Sequence, residues 1–403
     1  MVKQRHSQLE FVALMASLMS IAALALDALL PALDIIGLAV GTSSPADHQL
    51  LVILFFLGLG VGPLFFGPIS DSIGRKPVVY MGFALFILAS MLCIYAESLL
   101  WMVTGRILQG IALSAPRTIS IAMIRDSYSG NYMARIMSFV TVVFILVPIV
   151  APAMGKFVLD HYGWEAIFLV QVIFSILVGI WFWKRQPETL PERYKTRFRG
   201  AIFIDGCKQI FSYKQTIVFT LIWGFITGSF LVYLSTAQQI FQEQYGLKEA
   251  FPYIFAALAI TVGTSTLLNG TLVLRFGMLR LVSLALLAFI TTPTIYIMLF
   301  HNSGNPSLVA LLIFFGMQFF AVGFLFGNLR SLAMEPVGHI AGIGAAITGF
   351  IATVMAVPIS GFIGYFVIDT VLPMFTGFLF FGIISVAILG YYLFTKKSGA
   401  ISA

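Results

Sequence analysis

Asp27 is the residue whose type and setting point most directly to chemistry. It lies within an apolar run at residues 11–33 that is long enough to cross a membrane as a helix. A carboxyl group at membrane depth is expensive to bury, and such groups usually mark the path of an ion or a proton. We therefore predict that Asp27 binds and releases a proton, and that this step is linked to the release of a solute.

Arg106 is the cation that depth arithmetic places beside Asp27. A helix rises about 1.5 Å per residue, so Asp27 lies about 26 Å from the face at which its helix begins, near Glu10. Arg106 lies about 28 Å from the same face, because its helix runs the opposite way and ends near Arg125. A cation changes how readily a neighbouring carboxyl group keeps its proton. We predict that Arg106 modulates Asp27, directly or through Gln109 or water; the alternative is a packed structural cation.

Arg117 shares the predicted helix of Arg106 but lies only about 12 Å from that face, too low to meet Asp27. We expect it in the lower part of a solute cavity or paired with Asp71 or Asp126. Other polar residues inside apolar segments are further candidates for solute contact: Gln109, Gln318 and Asn328.

The composition of the chain indicates that these residues belong to a membrane protein. Of the 403 residues 60% are hydrophobic and only 10% are charged, with a mean hydropathy of +1.00. A soluble chain of this length has too little interior for so much apolar surface. The net charge of +7 does not indicate nucleic acid binding, because the basic residues lie in short loops. Cysteine spacing and motifs give no metal site, cofactor site or enzyme signature.

Twelve apolar segments are each long enough to span the hydrocarbon core as a helix. They cover about 9–30, 49–68, 78–97, 99–124, 135–158, 165–184, 214–240, 251–274, 280–300, 307–330, 341–366 and 373–395. Nineteen of the 23 Lys and Arg residues then fall on one side of the membrane. This bias predicts a multi-pass membrane protein with both termini in the cytoplasm.

A polar insertion divides the predicted helices into two sets of six. The predicted domains are an N-terminal six-helix bundle at 1–184, a cytoplasmic linker at 185–213 and a C-terminal six-helix bundle at 214–403. The linker contains a basic amphipathic segment that either lies on the inner leaflet or is merely solvated. Two parallel repeats of six helices predict a central cavity between the halves.

The loop after the second predicted helix carries the most specific pattern. Its residues are Gly67, Asp71, Gly74, Arg75 and Lys76. Gly74 permits a sharp turn, and the two bases alone would indicate only membrane topology. The whole spacing resembles the signature loop of the major facilitator superfamily, G-x-x-x-D-x-x-G-R-[RK]. The resemblance implies a gate latch whose acid faces the N-terminus of the eleventh helix.

Two further segments resemble the same superfamily. Residues 105–110 resemble its R-x-x-Q-G motif. The fifth predicted helix contains Pro148, Pro152 and Gly155, similar to the antiporter motif of drug/proton exchangers. It departs from that motif, since Val-Pro and Ala-Pro pairs stand where a Gly-Pro pair is usual.

Over nearly the whole chain the resemblance narrows to the Bcr/CflA subgroup of twelve-helix drug exporters. It rests on residues 27–33, 67–77, 124–128, 137–140, 164–168 and 335–342. It implies an all-α membrane protein with two six-helix bundles, the major facilitator fold. It also implies proton-coupled export of small amphipathic or lipophilic molecules by alternating access, which is multidrug efflux.

Two alternatives stay open. One is a proton-coupled symporter or facilitator that takes up a small metabolite on the same fold. The other is a sensor without transport activity or a subunit of a membrane enzyme; the intact signature loop and Asp27 argue against the sensor, and the lack of a catalytic motif argues against the enzyme. The expected partners are protons, a small-molecule substrate and membrane lipid, without nucleic acid, and a monomer is expected.

Overall fold

The computed structural model describes residues 7–192, 195 and 201–401. Over these residues it consists of helices and connecting turns, without strands. Several basic residues that entered the topology prediction lie outside the described part: Lys3, Arg5, Arg193, Arg197 and Arg199. The chain forms two compact units, Met1–Gly200 with Glu249–Ala256, and Ala201–Lys248 with Ala257–Ala403. The domain boundaries predicted at 184 and 214 stay predictions.

Within residues 7–192, the first half of the chain forms seven α-helices. They are α1 Gln8–Asp27, α2 Leu33–Ala39, α3 Pro45–Ile73, α4 Arg75–Ile94, α5 Leu99–Ser127, α6 Gly130–Tyr162 and α7 Glu165–Arg185. Helix α5 packs against α3 and α4, and α1 packs against α5, α6 and α7. Gly58 and Gly110 face each other's helix backbones, so a Cβ atom at either position would collide. Small residues thus let α3 and α5 approach closely, as is common in membrane bundles.

Seven helices also follow in the second half of the chain. They are α8 Ala201–Ser212, α9 Lys214–Gln238, α10 Phe251–Phe276, α11 Met278–Phe300, α12 Leu308–Met334, α13 Ala341–Phe366 and α14 Leu372–Ile401. The linker helix α8 lies against α13, where Gly206 contacts Ile343 and Ile347. Ile204 and Phe211 of the same helix are exposed. The predicted position of α8 on the inner leaflet stays a prediction.

The predicted all-α membrane fold is confirmed. Eleven helices of the described chain are long and apolar enough to cross a membrane, and α6, with 33 residues, occupies the fifth predicted span. The first span differs from its prediction. It was expected as one helix at 9–30, but α1 ends at Asp27 and α2 carries the span on to Ala39.

Candidate functional site

Asp27 lies where the first membrane span is interrupted. It is the last residue of α1, and the chain then turns through a short 3-10 segment, Leu30–Ala32, before α2 begins. Pro31 explains the interruption, because proline has no N–H for the carbonyl four residues earlier, which is that of Asp27. The Asp27 side chain is nevertheless buried, with 3% of the residue exposed. The sequence therefore places a carboxyl group at a helix break inside the bundle.

Arg106 binds the backbone of this interrupted turn. In a continuous helix the N–H of Leu29 would reach the carbonyl of Ala25. Here it donates to Leu26 at 3.2 Å instead. Nη1 of Arg106 donates to the Ala25 carbonyl at 3.2 Å and thereby supplies the missing donor. Arg106 thus stabilises the turn that carries Asp27.

Together with the bond to Ala25 of α1, the other contacts of Arg106 connect α1, α3, α4 and α5. Its Nε donates to the carbonyl of Leu51 in α3 at 2.9 Å, and its Nη1 donates to Oε1 of Gln109 at 2.7 Å. The Gln109 amide donates onward to Ser90 of α4 at 2.8 Å. The guanidinium also lies over the ring of Phe55, 4.4 Å from its centroid. Burying a charge is costly unless it has such partners, and these contacts offset the cost for Arg106.

The structure brings Arg106 to Asp27 through the backbone rather than through the carboxyl group. Within the described residues no ion pair joins the two side chains. The predicted common depth agrees with the bond to Ala25. The predicted proton coupling stays a prediction.

Helix α6 closes the other side of the break. Gly155 lies directly against the backbone of Ala28, so that a Cβ atom on Gly155 would collide with the Ala28 carbonyl. Pro148 and Pro152 precede it in the same continuous helix. The segment that resembles an antiporter motif therefore contacts the residue next to Asp27.

The predicted gate loop forms a compact charged cluster at the end of the first unit where α1 begins. Gly74 ends α3 with a φ of 110°, which favours glycine. Arg75 donates to Asp71 at 2.5 Å, to Ser70 at 2.7 Å and to Asp126 of α5 at 3.0 Å. The loop is thereby tied to α5 by a buried guanidinium.

The other predicted members of the gate have smaller parts in this cluster. The carbonyl of Gly67 accepts a hydrogen bond from Ser70 at 2.7 Å. The ammonium of Lys76 lies 6.0 Å from the centroid of the Phe182 ring. Arg117 is half-buried in α5, and its predicted place in a lower cavity stays a prediction.

Sequence analysis missed Glu188 and Thr189, which follow α7. Glu188 accepts hydrogen bonds from the backbone N–H groups of Arg75 and Lys76 at 3.1 and 3.0 Å. Thr189 donates to Asp126 at 3.0 Å. The segment had been interpreted only as a polar linker. One signal in the sequence could have indicated this contact. Glu188 follows the end of α7, and the predicted topology puts that end on the same side of the membrane as the signature loop.

Asn328 and Gln318, the two residues of the second unit predicted to line a cavity, form hydrogen bonds between helices in this structure. Asn328 exchanges hydrogen bonds with Asn269, the shorter at 2.6 Å, and also donates to the carbonyl of Phe324. Gln318 donates to the carbonyl of Phe289 at 3.3 Å. Both amides are buried, so solute contact would require these bonds to open; their predicted role stays a prediction.

Metal chemistry finds no site in the described residues. No group of three or more His, Cys, Asp or Glu side chains there is placed to hold a metal ion. Cys93 and Cys207 are both free thiols.

Comparison with known proteins places the chain in a family. It matches the model of the Major Facilitator Superfamily over residues 15–357. It is 24% identical over 366 residues to a bicyclomycin resistance protein homolog of Haemophilus influenzae, a match that covers 88% of each chain. It is 29% identical over 298 residues to a chloramphenicol resistance protein of Pseudomonas aeruginosa, covering 71% of this chain and 70% of that one.

The fold has a counterpart among solved structures. The crystal structure of a D-xylose-proton symporter is similar with a TM-score of 0.68 and 14% identity, and the match covers 95% of this chain and 96% of that one. At this identity the likeness concerns the fold alone. The resemblance found in the sequence is confirmed by the family match, and the chain belongs to the Major Facilitator Superfamily, a family of membrane transporters rather than enzymes.

Proposed function

We propose that this transporter exports small amphipathic or lipophilic molecules in exchange for protons, by alternating access. Its setting would be a bacterial inner membrane with both termini in the cytoplasm. The observation that carries the proposal is Asp27, a buried carboxyl group at a helix break within a membrane span. The names of the relatives support a drug as substrate, since they refer to resistance to bicyclomycin and to chloramphenicol.

Protonation of Asp27 changes which surroundings suit its side chain. Among the described residues no hydrogen bond or ion pair holds this carboxyl group. A charged carboxylate without partners is costly in a closed apolar site, whereas a neutral acid is tolerated there. Proton binding therefore stabilises an enclosed state, and proton loss stabilises a state in which water or a cationic group reaches Asp27. A ligand with different affinity for two states shifts their populations, which is the basis of coupling.

The helix break after Asp27 is the place at which a change of protonation could change the shape of the protein. The turn after Asp27 is held by Arg106 through the Ala25 carbonyl and by the close contact of Gly155 with Ala28. A helix lacking its internal hydrogen bonds at one turn bends there more easily than elsewhere. We infer that α1 hinges at this turn when Asp27 changes its protonation state. Arg106 would limit the movement without binding the proton itself.

The signature loop is proposed as the gate of the same cycle. Arg75 joins Asp71 and Asp126 in one cluster. Opening the loop requires breaking charge-assisted hydrogen bonds, which are roughly twice as strong as neutral ones. The cluster would thus hold one state of the transporter until solute and proton exchange.

Transport by inside-out membrane vesicles tests the proposal. With chloramphenicol or bicyclomycin as probe and an imposed proton gradient, we expect uphill accumulation by the wild-type protein and none by the Asp27→Asn variant. Asp34→Asn is the matched control, since Asp34 lies seven residues later in the same span but is bound to the backbone N–H of Ile35 at 2.9 Å. It should transport as the wild type does.

Three results would count against the proposal. Normal, pH-dependent transport by Asp27→Asn would exclude Asp27 as the proton site. Equal loss in Asp34→Asn would show that the effect is not specific to the break. Proton-driven accumulation in right-side-out vesicles instead would favour the alternative, uptake of a metabolite by symport.

A further inference from the structure

The Glu188 carboxylate accepts four backbone hydrogen bonds. Two come from the first residues of α4, Arg75 at 3.1 Å and Lys76 at 3.0 Å. The other two come from the N–H groups that follow Glu188 itself, those of Thr189 at 2.9 Å and Leu190 at 3.0 Å. Such an acceptor offsets the positive end of a helix and satisfies N–H groups that lack partners in their own helix. One side chain therefore fastens the start of the linker to the start of α4.

The segment around Glu188 is fixed rather than solvated. We call residues 186–190 the linker strap. Gln186, Thr189 and Leu190 are all buried. The hydroxyl of Thr189 binds the Asp126 oxygen that also accepts the Nε hydrogen bond of Arg75, each at 3.0 Å. The linker strap therefore contacts the charged cluster twice. Glu188 binds the backbone of Arg75 and Lys76, and Thr189 binds the carboxylate of Asp126.

The corresponding turn in the second half of the chain shows that a helix can begin there without such an acid. Gly277 has a φ of 78° and precedes α11, as Gly74 with a φ of 110° precedes α4. A Cβ atom on Gly277 would meet nothing within 4 Å, whereas one on Gly74 would lie 2.8 Å from Glu188. The Glu188 contact is therefore not a requirement of the turn.

The presence of the Glu188 contact at one turn and its absence at the other correlate with the charges at the two helix starts. α4 begins with Arg75 and Lys76, two cations at the positive end of a helix, which is an unfavourable position. α11 begins with Met278 and Leu279, which carry no charge, and its first turn holds a single cation, Arg280. Glu188 accompanies the loop that contains the charged cluster, and its carboxylate offsets the charge that this loop brings to the helix start.

We propose that Glu188 is a positioning residue of the gate, which holds Arg75 in the orientation that binds Asp71 and Asp126. The inference rests on the proposed transport function, because it assigns Glu188 to that gate. Through Glu188 the linker strap becomes part of the loop, and removing its acceptor loosens the cluster without altering any of the three charged partners.

Hydrogen exchange and transport together test this assignment. In Glu188→Gln the side chain keeps its shape, but its NH₂ group faces backbone donors and only one oxygen still accepts. We expect amide exchange at residues 75–76 to become about tenfold faster, the scale of one lost hydrogen bond to a charged group. We also expect kcat for transport to fall with the solute Kd unchanged.

Two variants make the result specific to the strap. Glu192→Gln is the matched control, because Glu192 lies in the same linker, is 86% exposed and pairs with Lys195; it should alter neither exchange nor transport. Thr189→Val removes one donor to Asp126 and should lower kcat less than Glu188→Gln does. It also keeps the test open if Glu188→Gln folds poorly.

Each outcome decides the matter. Unchanged exchange at 75–76 in Glu188→Gln overturns the proposed contact. Faster exchange with an unchanged kcat overturns the positioning role, as does an equal effect of Glu192→Gln. If the wild-type protein moves no solute, the proposed function fails and the gate role with it, whereas the exchange contrast still shows whether Glu188 fastens the strap to the loop.

Discussion

Replacing Arg106 with lysine separates the charge of this residue from its shape. Both side chains are cations, but only the planar guanidinium presents several donors in a fixed arrangement. In the structure these donors reach acceptors on two other helices, Leu51 at 2.9 Å and Ala25 at 3.2 Å, and a third acceptor, Gln109, at 2.7 Å. A lysine ammonium has only one nitrogen atom, so it cannot reproduce the separate donor positions of Nε and Nη1. The variant therefore tests whether the turn after α1 needs the fixed arrangement of donors on the guanidinium.

The expected size of the effect follows from the bonds that are lost. Hydrogen bonds between membrane helices average about 0.6 kcal/mol and reach about 1.7 kcal/mol. Losing the two interhelical bonds of Arg106 should therefore destabilise the first unit by about 1–3 kcal/mol. A loosened turn also places Asp27 less accurately, and each 1.4 kcal/mol in a barrier changes a rate about tenfold. We expect Arg106→Lys to transport at roughly a tenth of the wild-type rate.

Thermal unfolding in detergent and initial transport rates at several pH values measure both effects. Arg185→Lys is the matched control, since Arg185 also uses two nitrogen atoms to bind one partner, Glu10, but is 45% exposed. Exposed ion pairs contribute at most about 1 kcal/mol, so this variant should change stability by less than about 1 kcal/mol. Wild-type transport with an unchanged pH profile in Arg106→Lys would refute the reasoning, because the cation alone would then suffice.

Two further predictions concern contacts of α6. Gly155→Ala should destabilise the protein by about 1–3 kcal/mol, because its Cβ atom meets the Ala28 carbonyl; thermal unfolding measures this, and Gly390→Ala, with open space around it, should be neutral or stabilising. Glu249→Gln should change stability by less than about 0.5 kcal/mol, because Glu249 is 87% exposed in its pair with Lys156. A larger loss there would indicate that this exposed pair has a role beyond surface attraction.

The helices were predictable from the sequence because each requirement is local. An apolar run of about twenty residues fixes a membrane span without knowledge of its neighbours. The break at Asp27 was missed, although Pro31 was in view, because apolar residues continue on both sides of it. A run of hydropathy shows where a span lies but not whether its backbone is continuous.

For the candidate site, the sequence allows an estimate of depth along a helix but not of the direction in which a side chain points around it. Depth arithmetic placed Arg106 level with Asp27, and its bond to Ala25 agrees with that depth. The arithmetic gives no rotation about the helix axis, which decides whether the guanidinium meets a carboxyl group or a backbone carbonyl. Glu188 was beyond reach for another reason, since it binds Arg75 across 113 positions of sequence.

The two loops of the repeated halves separate what the fold needs from what the proposed function needs. Both keep a glycine with positive φ, Gly74 and Gly277, because the turn between two antiparallel helices requires that backbone. Both loops carry two bases, but only the first also carries an acid, Asp71; the second reads Leu-Arg-Phe-Gly-Met-Leu-Arg at 274–280. The turn itself therefore does not require the charged cluster with Asp126, and this cluster belongs to the loop that we propose as the gate. By the same argument, Glu188 supports the charged cluster and is not needed to form the turn.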